Sequence, residues 1–136
     1  MDPLNMYIME DHAALVYTTP TWKHHMNVEY IEIDFTGLHR DEDVIQCVAD
    51  AVEMGLQRSD KSVRALVYLK NSKTSPNAIR TIKKLGKMVQ PKMNKSALVG
   101  SVGIVSLLMK IYISYTGSKI KFFTDKEAAI KYLAND

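Results

Sequence analysis

The sequence predicts an α/β domain: a mixed, largely parallel sheet of about five strands with four helices. Three observations predict it. From residue 28 onward, short β-branched or aromatic runs alternate with stretches of helical apolar period. The middle runs, "RALVYLKN" and "ALVGSVG", are apolar at consecutive positions, as strands covered on both faces are. Capping residues stand where the helical periods begin. A chain of 136 residues builds one core. A single domain over 1–136 is therefore expected, with 1–27 as an N-terminal strand and loop.

"ALVYTTP" and "YIEIDF" read as the first two strands, with the polar "TWKHHMN" as the loop between them. In the second, Ile31, Ile33 and Phe35 alternate with Tyr30, Glu32 and Asp34, which predicts one wet face. From Asp41 the period becomes helical, with Val44, Val48, Ala51, Val52 and Gly55 on one face and acids at 41–43 suited to the positive end of the helix dipole. "RALVYLKN" is the central strand. A second helix starts at "SPNAIRTIKKLGKMV", and "ALVGSVG" is another buried strand. A third helix is expected over about 102–115, then "KIKFF" as a partly exposed strand. "TDKEAAIKYL" closes the pattern with Thr124 and Glu127 as a capping box and Ala129, Ile130 and Leu133 inward. The parallel strands require right-handed crossovers, and the first strands are expected as antiparallel additions.

"YIEIDFTGL" before an acidic helix, "RALVYLKNSKTSPNAI", "KSALVGSVG" before an apolar helix and "IKFFTDKEAAIKYL" resemble the STAS or anti-sigma-factor-antagonist type of small bacterial protein over about 28–134. The resemblance implies a non-enzymatic domain that docks onto partner proteins, some members being switched by phosphorylation of a Ser or Thr at a strand-to-helix junction. In such members the junction carries an Asp, two small hydroxyl residues and a Gly. Here that place holds Lys70, Asn71, Ser72, Lys73, Thr74 and Ser75, with neither the Asp nor the Gly.

Ser75 before Pro76 is a strong helix start, the hydroxyl accepting from an orphan N–H and the proline sitting where no N–H is needed. The same place would suit a phosphate, so Ser75, Thr74 and Ser72 are candidate phosphoacceptors as well as capping residues. Beyond them Arg80, Lys83, Lys84 and Lys87 share one face of the helix, either as a solvated face or as a strip for an anion or an acidic partner. Residues 1–60 hold twelve acids against three bases, and residues 61–124 hold thirteen bases and no acid. That asymmetry suits an acidic or phosphate-bearing partner. Nucleic acid is disfavoured because the strip has no interleaved aromatic residues.

Val105, Met109, Tyr112 and Ile113 form a second apolar flank on the helix over 102–115. Either a neighbouring helix of the same chain or a homodimer or partner interface would cover it. The histidines at 12, 24, 25 and 39 lack the spacing of a metal site, and with one cysteine, Cys47, no internal disulfide forms. Cys47 reads as a small core residue. "GSVG" lacks the lysine of a P-loop and the third glycine of a dinucleotide fingerprint. The start of the sequence lacks the features of a secretory signal, and no apolar run reaches the ~20 residues that span a bilayer, so a cytoplasmic location is expected. The expected function is that of a non-catalytic protein-interaction or regulatory domain without cofactor or metal. The alternative is a binding or carrier domain for an anionic small molecule or lipid.

Overall fold

A computed structural model describes residues 17–70, 72, 74–100 and 120–135. Its five strands lie in sequence order, β1-β2-β3-β4-β5. β1 (Thr21–His25) and β2 (Val28–Asp34) form an antiparallel hairpin, whereas β3 (Val63–Tyr68), β4 (Met93–Val99) and β5 (Ile120–Phe123) each run parallel to the strand before. The hairpin corrects the expectation for its first half. "TWKHH" is the strand rather than the loop, residues 17–20 are not strand, and residues 14–16 lie outside the described residues. The turn is only Met26 and Asn27, both left-handed at φ 52° and 66°, the paired conformation that matches the twist of a two-residue hairpin. Neither residue is glycine, so the usual hairpin signal is missing from the sequence.

Because the strands advance in one direction, right-handed crossovers place the intervening helices on one face of the sheet. α1 (Asp41–Leu56) and α2 (Pro76–Val89) lie there, and Val44, Cys47, Ile79 and Ile82 pack with Phe35, Leu69 and Leu98. A 3-10 turn, Gln90–Lys92, leads from α2 into β4. The two helices run in register. At their start Ser75 bonds Asp41, at their end Gly55 abuts Val89, and both pairs are 34 residues apart in sequence.

The opposite face carries α3 (Lys126–Ala134), whose Ala129 and Leu133 bury Tyr30, Leu66 and Ala97. The expected wet face of β2 is therefore covered at Tyr30, and Glu32 beside it is paired with Lys23 at 2.8 Å. The cap of α3 also differs from expectation. Asp125, not Thr124, accepts from the Ala128 N–H at 3.2 Å, starting the helix one residue later than the sequence pattern suggested. At the other end Arg64 donates to the Leu133 carbonyl at 2.7 Å, and Lys95 donates to the carbonyls of Tyr132 and Asn135. Two cations from the sheet thus meet the negative end of the helix dipole. The helix expected over 102–115, with its flank of Val105, Met109, Tyr112 and Ile113, lies outside the described residues.

Candidate functional site

In an open parallel sheet the crevice outside the carboxyl ends of the strands is where loops converge. Here those ends are tied strand to strand: Phe35 N–H donates to Tyr68 O at 2.9 Å, Gly37 N–H to Lys70 O at 3.1 Å and Leu69 N–H to Val99 O at 3.0 Å. Gly100 turns the chain after β4 with φ +85°, a left-handed conformation that a side chain rarely adopts. "GSVG" therefore begins with a turn glycine. Asp34 closes the end of β2 by accepting from the Thr36 N–H at 2.9 Å.

The three hydroxyls of the β3–α2 junction have different fates. Ser72 Oγ donates to the Leu69 carbonyl at 2.9 Å and closes the turn. Thr74 Oγ1 is buried with no hydrogen-bond partner among the described residues. Ser75 Oγ accepts from the Ala78 N–H at 3.1 Å, the N-cap role expected of it, and donates to Asp41 Oδ2 at 2.6 Å. Asp41 opens α1, followed by Glu42 and Asp43, so a carboxylate of one helix reaches the N-terminus of the next through a single hydroxyl. The positive end of α2 already has an anion beside it. A phosphate added to Ser75 would lose the proton donated to Asp41 and meet that carboxylate.

Beneath this rim, between the helix pair and the sheet, lies a cavity of about 130 Å³. Ile33, Phe35, Val44, Val52, Ile79 and Ile82 give it an apolar wall. Polar side chains enter the lining at Ser72 and Thr74 near the rim and at Gln90 and Ser96 farther down. An apolar cavity of about 150 Å³ in another protein stays dry and takes benzene, so this space suits one ring or a short branched chain.

The basic strip lies on the outer side of α2. Arg80, Lys84 and Lys87 are exposed, and Lys83 is half-buried. Arg80 Nη1 donates to Asn77 Oδ1 at 2.6 Å. Cys47 is fully buried and its thiol is pushed up to about 12, first by burial and then by the Asp50 and Asp34 carboxylates. Among the described residues no three His, Cys, Asp or Glu side chains cluster as a metal site would require. Nor is any helix among them long and apolar enough to cross a membrane.

Two arrangements went unforeseen in the sequence. Tyr17 donates to Asp50 Oδ2 at 2.9 Å, strapping the incoming chain along α1, and burial together with that bond raises its phenol to about 12. Arg58 lies 4.0 Å over the Trp22 ring while donating twice to Glu29 at 3.1 Å, which fastens the hairpin to the end of α1.

A sequence model described as SpoIIAA-like matches residues 30–134. The chain belongs to the SpoIIAA-like family. A solved structure, an uncharacterised protein of the DUF3478 family with a SpoIIAA-like fold from Shewanella loihica PV-4, superposes with a TM-score of 0.68 over 85% of this chain and 93% of that one. At 20% identity it shows the SpoIIAA-like fold alone. No curated protein matches the chain. The SpoIIAA-like fold fits a regulatory or interaction domain, and the family is generally non-enzymatic.

Proposed function

We propose that this SpoIIAA-like protein is a non-catalytic regulatory domain that acts by binding, and that its site is the apolar cavity between the helix pair and the sheet. The cavity carries this reading, because about 130 Å³ of apolar space beside a Thr74 hydroxyl that has no partner among the described residues offers a ligand both burial and one hydrogen bond. The ligand class is a small apolar group with a polar head. An anionic head finds little welcome where the Asp41 carboxylate already takes the Ser75 hydroxyl. The test is titration with fluorobenzene followed by fluorine NMR, alongside mass spectrometry of an organic extract of the purified protein. Uptake of the probe, abolished by Ala65→Leu, which fills the cavity, is the expected result. No uptake by the folded wild type, together with an empty extract, would refute it.

The basic strip favours a second reading, in which Arg80, Lys84 and Lys87 recruit an acidic protein surface. The two readings are compatible in one regulatory domain that couples an interior ligand to an exterior partner. Phosphorylation of Ser75, or of Thr74 or Ser72 beside it, would be a further input at the rim. Phosphopeptide mapping of the protein purified from its native cell tests this input, and unmodified hydroxyls under every growth condition tried would remove it.

A further inference from the structure

The two ends of the helix pair are held by unlike forces. At the far end Gly55 and Val89 are in such close contact that nothing can come between them, since a Cβ at 55 would stand 2.9 Å from Val89 Cγ2. At the near end, where the cavity reaches Ser72 and Thr74, the side-chain hydrogen bond that ties the helices among the described residues is Ser75 Oγ to Asp41 Oδ2, above the buried cluster that holds Val44, Ala78 and Ile79. We propose that this bond is the latch of the cavity, and that α1 and α2 part at their N-terminal ends, hinging on the Gly55–Val89 contact, to admit and release the ligand. The proposal rests on the cavity being a binding site, and it adds the route and its control.

Three observations support the latch. Breaking it does not undo either helix start, because Ser75 keeps its bond from the Ala78 N–H and Asp41 keeps its place in the first turn of α1. Opening also exposes the Thr74 hydroxyl, which in the closed form is buried without a partner among the described residues and would gain water. Finally, the residues directly below, Val44 on α1 and Ile79 on α2, both line the cavity, so parting the helix starts opens the cavity itself.

The experiment measures fluorobenzene exchange with the full chain by fluorine NMR, with amide hydrogen exchange on the same samples. Asp41→Ala removes the acceptor. Ser75→Asp keeps a capping oxygen but removes the donor and places two carboxylates together. Asp41→Asn, which still accepts, serves as the control. Loss of one charge-assisted hydrogen bond is expected to speed probe association and dissociation each by about tenfold, with affinity changed by less than about twofold. Amides in the first turns of both helices should exchange faster, while those around Gly55 and Val89 keep the wild-type rate, and Asp41→Asn, which keeps a neutral hydrogen bond, should fall between wild type and Asp41→Ala. Unchanged rates in both disrupting variants, with the wild type binding normally, overturn the latch and leave the cavity reading standing. A wild type that takes up no fluorobenzene and yields an empty organic extract overturns both.

Discussion

Gly55 and Val89 bring α1 and α2 closer than any side chain at position 55 would permit, the space for a Cβ being only 2.9 Å from Val89 Cγ2. Val89 is 9% exposed and β-branched, so its methyl has little freedom to swing away.

Gly55→Ala therefore sets two effects against each other. Alanine in a helix interior gains about 1 kcal/mol over glycine, while overpacking a close contact costs about 1–3 kcal/mol. A net loss of about 1 kcal/mol is expected in urea unfolding. Adding Val89→Ala should reverse the overpacking part, giving a double mutant less destabilised than the two single changes summed.

The Arg58–Glu29 pair should show itself in acid. Its hydrogen bonds from Arg58 are the main reason the Glu29 carboxyl is held below its ordinary 4.5. A lowered folded value means that the contribution is present above the unfolded value and is lost as pH falls through the folded one. Wild type should thus exceed Glu29→Gln in melting temperature at neutral pH, and the difference should shrink from about pH 4.5 downward. Both side chains are more than a third exposed, so the gap should also narrow in high salt. A constant gap from neutral to acid would assign the effect to packing on Trp22.

Cys47 should be silent to thiol reagents. A buried thiol raised to about 12 has almost no thiolate at pH 8, so labelling must wait for opening of α1. The labelling rate should follow the unfolding equilibrium as urea is added. Rapid labelling of the folded protein without urea would contradict the burial.

Replacing Arg80, Lys84 and Lys87 together by Gln should leave thermal unfolding nearly unchanged, each surface change costing within ~0.5 kcal/mol. If the strip recruits an acidic surface, retention of the wild type on immobilised polyglutamate should fall with salt and the triple variant should barely bind. Equal retention of the two would return the strip to solvation.

The parts of this fold that could be read in the sequence were those with a strong period or a continuous apolar run. β2, β3, α1 and α2 stand where Ile31, Leu66, Val44 and Ile79 predicted them. β1 was displaced because its edge position leaves only Trp22 partly buried, so the strand has no alternation to detect, and its turn uses Met26 and Asn27 in place of glycine. Asp125 was passed over because Thr124 and Asp125 are both good caps and only the path of the chain chooses between them. Ser75 was legible as a cap, but its bond to Asp41 spans 34 residues and has no local signature. Topology held the missing signal. Two helices that follow neighbouring parallel strands must start at the same edge of the sheet, and the first residues of each, an acid and a hydroxyl, were already known.

The one-way order of the strands also bears on how the chain is made. Each new parallel strand joins the edge laid down just before it, so the sheet can grow as residues leave the ribosome, without waiting for a distant partner. α1 and α2 cover one side as they appear. The other side, with Tyr30, Leu66 and Ala97, has no cover among the described residues until Ala129 and Leu133 emerge. Among the described residues, then, that side of the sheet stays bare until α3 is made, and α3 is the element that takes its apolar surface out of water.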